Sequence, residues 1–134
     1  MIGYVGPKII NVTNEACHVL IKLRRRTKNH VNIMYFGAQS VGADFCIGLL
    51  AMHHIDQSPK KMTVLFTDFK ISFLKPIKSD AHFHCIEGNV IKELIDSVLK
   101  TGQRQSKLIN GFATTPDISG DEPVSQFSLT LTVK

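Results

Sequence analysis

Cysteine is scarce and scattered. The three residues, Cys17, Cys46 and Cys85, form no CxxC pair. That leaves no basis for a disulfide framework and fits a reduced, cytoplasmic protein. Tryptophan is absent. No strand carries the paired aromatics on which RNA-binding modules stack bases, so nucleic acid is not an expected partner. Charge is sparse as well: charged residues make up 20% of the chain and apolar residues 43%, a balance that excludes disorder. Long apolar runs are also missing. The longest nearly uncharged stretch, residues 31–55, is interrupted by Asn32, Gln39, Asp44, His53 and His54. No transmembrane helix or membrane partner is therefore expected. Met1 does not lead through a basic region into an apolar run, so no signal peptide is expected. G-x-S-x-G, Walker and G-x-G-x-x-G motifs are lacking, and with them any support for a serine hydrolase, a P-loop enzyme or a dinucleotide enzyme.

What remains is a chain of 134 residues, enough for one core, and a single domain over residues 1–134 is expected. Its charge is uneven. Residues 1–78 carry 11 basic and 4 acidic groups, a balance of +7, whereas residues 79–134 carry 5 and 7, a balance of −2. The basic groups concentrate at Arg24, Arg25, Arg26 and Lys28, then Lys60 and Lys61, then Lys70, Lys75 and Lys78. Such a half attracts anions or is simply a solvated surface.

Residues 17–24 alternate, with Val19, Ile21 and Leu23 on one face, and read as a half-buried strand. A helix is expected over residues 37–52. Asp44 is its only charge, so the helix should be buried on every side. Gly42 and Gly48 weaken helix propensity there, which suggests a close approach to the helix. Strands follow over residues 63–74, with Leu65, Phe69, Ile71 and Phe73 on the apolar face, and over residues 80–87. Ile91, Leu94, Ile95, Val98 and Leu99 fall at helical spacing in a short second helix that Asn89 could cap and Gly102 could stop. Residues 105–114 and 124–133 are strands, separated by turn residues from Pro116 to Pro123. The expected fold class is α+β: an antiparallel sheet of about five strands around a long central helix.

Asp44 is the most informative position. Its helical neighbours Ser40, Val41, Ile47 and Gly48 carry no charge. An unpaired carboxylate there has a raised pKa and is either a functional group or a structural one bonded to nearby backbone. Upstream, residues 29–37 lead into a helix N-terminus, whose free N–H groups suit an oxyanion or phosphate. His82 and His84 share a strand face, and His53 and His54 fall where a helix C-terminus favours positive charge. No set of three convergent ligands is legible, so no metal is expected. Cys46 reads as core.

These residues also carry a resemblance. The strand, the buried helix and then Ile71-Ser72-Phe73-Leu74-Lys75-Pro76 resemble the hot-dog fold thioesterase superfamily over about residues 15–134. The chain is most similar to the phenylacetate-degradation type acyl-CoA thioesterases and their hot-dog relatives of unknown function. The thioesterase pattern is N-x-x-G-x-x-H-G-G, six residues, then D. Asn29, Gly37 and Asp44 match its Asn, second Gly and Asp. Asn32, Tyr35 and Phe36 stand in place of Gly, His and Gly.

The resemblance implies a homodimer with acyl thioester sites between the subunits, and leaves open a tetramer built from it. Asp44 would act as general base or nucleophile, Asn29 of the partner subunit would position water or the carbonyl, and the backbone at Gly37 and Ala38 would hold the oxyanion. Arg24, Arg25, Arg26, Lys28 and Lys75 would meet the phosphates of coenzyme A, which enters as part of the substrate and not as a cofactor. The three departures keep a non-catalytic acyl- or lipid-binding hot-dog protein as the alternative.

Overall fold

A computed structural model describes residues 2–134. In chain order its elements are α1 (Ile2–Val5), β1 (Lys8–Val12), β2 (Cys17–Ile21), α2 (Phe36–Asp56), β3 (Val64–Phe73), β4 (Ala81–Cys85), α3 (Gly88–Thr101), β5 (Gln105–Thr114), α4 (Pro116–Ser119) and β6 (Pro123–Val133). The strands form one sheet in the order β1-β2-β4-β5-β6-β3. Every pairing is antiparallel. The sheet wraps α2, which is the expected hot-dog arrangement.

The alternating strands put one face of the sheet into the core. Val19 and Ile21 of β2, Ala81 and Phe83 of β4, and Leu129, Leu131 and Val133 of β6 are fully buried. They pack on Ala43, Cys46, Ile47 and Leu50 of α2. Each fully buried Ile or Leu in this layer contributes on the order of 1.5–3 kcal/mol. The Cys46 thiol lies 3.5 Å from the carbonyls of Cys17 and Phe83, so this cysteine is core, as expected. Gly42 brings the two layers together. A Cβ there would lie 2.6 Å from Phe83 Cε1 and 2.8 Å from Ile21 Cδ1, so the sheet rests on bare helix backbone.

Several expectations need correction. The sheet has six strands, not about five. β1 carries no period-2 signal because it is an edge strand with Ile9 and Ile10 both exposed and an irregularity between Ile9 and Asn11. β2 stops at Ile21, because the Leu23 N–H donates to Asp80 Oδ1 (2.8 Å) and the Lys22 carbonyl accepts from Thr27 Oγ1 (2.7 Å). Asn89 is not the cap of α3. The helix starts at Gly88, where a Cβ would collide with the Asn14 carbonyl, and it has no side-chain cap. Gly102 ends it with φ 69° and an N–H bond to the Val98 carbonyl. Residues 116–119 are a single helical turn where only turns were expected.

The face of β3 is also corrected. Phe66 lies opposite Leu131 and Ile71 lies opposite Phe127, so five steps along β3 match four along β6. The extra residue is a bulge between Thr67 and Lys70, with Asp68 at φ 54°. It flips the alternation midway. Val64 and Phe66 therefore pack on the core, while Leu65 is 55% exposed.

The largest correction concerns α2. It is not buried all round. Phe36, Asp44 and Met52 are exposed, and Ser40, Val41, Phe45 and Leu49 are half-buried on a side that neither sheet nor α3 covers. Gly48 has only Phe66 Cζ near its missing Cβ, at 3.9 Å, so nothing within the chain requires a glycine there.

The two helix glycines should thus behave oppositely. Gly42→Val overpacks the layer against Phe83 and should cost about 1–3 kcal/mol. The check is a lower urea midpoint at unchanged m. A midpoint equal to the wild type would contradict the close contact.

Candidate functional site

The loop between β2 and α2 is strapped by its own polar atoms. Asn29 Oδ1 accepts the N–H groups of Val31 (3.0 Å) and Ile33 (3.1 Å), and the Asn29 N–H donates to the Ile33 carbonyl (2.8 Å). Asn32 takes φ 63°, a conformation asparagine tolerates better than most residues. The Met34 N–H reaches the Ile77 carbonyl and the Tyr35 N–H the Thr27 carbonyl. These bonds deliver the chain to α2 with Tyr35 as N-cap and no capping side chain. The first-turn N–H groups have no carbonyl behind them in the helix.

A cleft of about 430 Å³ opens beside this helix start. Asn29, Ile33, Met34, Tyr35, Phe36 and Gln39 line one side, and residues 73–76 line the other. The walls are mainly apolar, and the Phe36 and Phe73 rings stack with centroids 4.2 Å apart. Gln39, 3% exposed, donates from Nε2 to the Met34 carbonyl at 3.1 Å. Lys75 stands at the rim in an ion pair with Glu122 (2.7 Å). Both side chains are exposed, so the pair is worth little and Lys75 is easily turned to an anion.

The expected site residues thus divide. Asn29 and Lys75 share the cleft. Gly37 lies in the first turn of α2 beside the cleft but does not line it, and a Cβ there would sit 2.8 Å from Tyr35 Cε2, so the ring lies close against its backbone. Asp44 does not reach the cleft of its own chain. It lies in a shallow hollow of about 350 Å³ with Ser40, Val41 and Phe69 on the uncovered side of α2. Partial loss of water contact in this hollow raises its carboxyl above the ordinary value. Arg24, Arg25, Arg26 and Lys28 project from the turn before the cleft and do not line it. The Arg26 guanidinium sits 5.9 Å from the Tyr4 ring centre. Gln39, Phe69 and Phe73 were not singled out as site residues. The available signal for Gln39 was a long polar side chain among small residues in an apolar helix.

The model of a family described as Domain of unknown function (DUF4442) matches residues 2–102. The chain belongs to the DUF4442 family. No curated protein matches it. Its fold is similar to solved structures at low identity. A probable thioesterase of unknown function from Pseudomonas aeruginosa shares 16% identity, with 99% of this chain and 85% of that one covered and a TM-score of 0.84. A Haemophilus influenzae thioesterase shares 14%, covering 99% and 81%, at 0.73. A mutant of the phenylacetic acid degradation protein PaaI from Thermus thermophilus shares 13%, covering 98% and 96%, at 0.68. These structures agree with the hot-dog fold of the DUF4442 chain.

Away from the cleft, the DUF4442 chain carries a histidine cluster on the sheet face that turns away from α2. His18 Nε2 and His82 Nδ1 lie 2.7 Å apart, and His84 stacks between His18 and Phe112. Among the described residues no group of three or more His, Cys, Asp or Glu is placed to hold a metal ion. Burial, reinforced by His18 and His82, pushes His84 down to about 4, with Asp121 pulling weakly the other way. The unfolded chain, titrating near ~6.5, takes up this proton first. Stability should therefore fall as pH drops from about 6.5 towards 4. His84→Gln should flatten that fall by close to one proton, read from denaturant unfolding across the window. An unchanged slope would show that His84 is not the group responsible.

Proposed function

We propose that the protein binds and hydrolyses acyl thioesters of the coenzyme A type at sites formed between two copies of the chain. The observation that carries this reading is Asp44. It is a carboxylate with a raised pKa on the uncovered apolar side of α2, seven residues beyond Gly37 in a first turn that no side chain caps. Among the described residues no Lys, Arg or His forms an ion pair with it.

Three features favour a second copy. The bare side of α2 presents Phe36, Val41, Phe45 and Met52 to solvent. β3 is a ten-residue edge strand with Leu65, Phe69 and Phe73 exposed, and such an edge accepts another strand readily. A two-fold dimer that joins the β3 edges into one sheet lays the α2 helices side by side. It sets Asp44 of one copy against the cleft of the other.

In that arrangement each group has a role. The acyl chain lies along the apolar walls. The Gly37 and Ala38 N–H groups take the carbonyl oxygen, and they bind it best once it carries negative charge. Asn29 Oδ1 is already held by the loop, which leaves its Nδ2 free to donate to the carbonyl or to water. The Asp44 carboxylate of the opposite copy accepts a proton from water as the oxygen attacks the thioester carbon. The thiolate then leaves and takes up a proton. A raised pKa makes Asp44 a stronger base once ionised and keeps it inactive at low pH. Lys75, with Arg24, Arg25, Arg26 and Lys28 on the preceding turn, meets the phosphates of coenzyme A.

The alternative of a non-catalytic acyl binder is favoured by Phe36, whose stacked ring stands where the thioesterase pattern has glycine. Asp44→Asn separates the two. It keeps the size of the side chain and removes the base, so thioester cleavage should fall by ~10²–10⁴-fold with ligand affinity kept. The check is thiol release from a panel of acyl-CoA esters, together with melting of both proteins. Equal turnover in Asp44→Asn would refute the catalytic role. A wild type that binds acyl-CoA without releasing thiol would establish the binder.

A further inference from the structure

The net charge of this chain is gathered in its first third. Residues 1–43 hold six basic groups, Lys8, Lys22, Arg24, Arg25, Arg26 and Lys28, against the single acid Glu15, so this stretch alone carries the +5 of the whole chain. The fold draws these groups together. β1 runs antiparallel to β2 with Lys8 opposite Leu20, which sets the start of β1 beside the basic turn that follows β2. A Cβ at Gly6 would collide with the Arg24 guanidinium, and the Arg26 guanidinium lies over the Tyr4 ring. Glu15 is at the far tip of the same hairpin. Asp80 is the acid at the turn, and it is half-buried with one oxygen taken by the Leu23 N–H. All six cations are exposed, and none forms an ion pair among the described residues. Where this surface is not charged it is apolar: Tyr4, Ile9, Ile10 and Val31 are exposed on it. Val31 stands three residues after Lys28, on a loop that Asn29 Oδ1 already holds. β1 is the outer strand at the edge away from β3, so pairing through β3 and α2 leaves this surface open.

We propose that this surface is a peripheral docking face for an anionic lipid bilayer: Lys8 and the turn over residues 24–28 meet lipid phosphates, while Tyr4, Ile9, Ile10 and Val31 enter the headgroup layer. A bilayer surface offers both chemistries at once, anionic groups for Lys and Arg and an apolar boundary beneath them for aliphatic and tyrosine side chains. Nucleic acid and free phosphate compounds could use the same cations, but neither rewards an exposed valine or isoleucine. Among the described residues no helix is long and apolar enough to cross a membrane, so the contact is with the surface only. The proposal does not depend on the thioester reading, since Lys75, the cation that lines the cleft, is not part of this face.

The test is co-sedimentation of the full chain with vesicles of phosphatidylcholine and with vesicles in which one lipid in three is phosphatidylglycerol. The protein should bind only the anionic vesicles and leave them near molar salt. Each Lys or Arg at such a surface is worth about fivefold, so Arg25→Gln/Lys28→Gln should weaken binding about 25-fold. Lys60→Gln/Lys61→Gln removes the same net charge beyond the other end of α2 and should leave affinity within about twofold. Val31→Ser should weaken binding about tenfold by removing an inserted side chain. All of these side chains are exposed, and melting of each variant confirms that it folds. Equal losses in the two charge variants would show adsorption by net charge alone and overturn the proposal. Val31→Ser bound as tightly as the wild type would reduce the face to a phosphate site and overturn it as well. So would no binding to anionic vesicles, or tighter binding to a duplex RNA at equal phosphate concentration. None of these results bears on thiol release, which tests the thioester reading separately.

Discussion

An apolar helix with more sides than its own chain covers is the constraint on which this structure depends. The sheet reaches α2 closely enough to touch its backbone at Gly42, and that contact fixes helix and sheet as one rigid layer pair. The same closeness commits the sheet to one side. The other side keeps Val41, Phe45 and Met52 next to solvent, with a carboxylate in their midst. An apolar strip of this kind beside a long open strand edge is a surface suited to a second copy.

The electrostatics follow from that split. Within one chain the cleft is lined by Asn29, by Tyr35 and Phe36 at the helix start and by the cation Lys75, but it has no carboxylate base. Asp44 has the raised pKa of a base and no cleft. In the proposed dimer these two incomplete halves of one chain would complete each other across the interface. Pairing of that kind would take further water from Asp44 and raise its basicity again. The histidine cluster on the far face of the sheet lies apart from this chemistry and makes the fold sensitive to acid.

Much of this was legible in the sequence, for specific reasons. β4 and β6 have one face in the core and one outside, so period-2 alternation marks them directly. α3 buries Ile91, Leu94, Ile95 and Val98 on a single stripe, and Gly102 closes it in the left-handed conformation. β1 was hidden because an exposed edge strand needs no alternation. The β3 face was misassigned because one bulged residue at Asp68 reverses the alternation, and nothing in the local composition announces it. The open side of α2 was hidden because apolar residues left uncovered by their own chain look the same in sequence as residues that face a core. In the site, Asp44 stood out as a lone charge in an apolar helix. Gln39 did not, since its place beside the cleft depends on a bond from Nε2 to the Met34 carbonyl that only the folded loop supplies.

The central claim is that Asp44 of one chain works on the cleft of another, and subunit complementation tests it most directly. Asn29→Asp keeps an oxygen to hold Val31 and Ile33 and exchanges the free donor for a charged acceptor, so the loop should survive while the donor is lost. Asp44→Asn and Asn29→Asp proteins, each inactive alone, are unfolded, mixed in equal amounts and refolded together, and thiol release from acyl-CoA is measured. Half of the dimers then carry both variants, and each of these has one intact site of two. Activity should return to about a quarter of the wild-type value. A mixture as inactive as its two components, with exchange of subunits verified by mass, would contradict a site shared between chains.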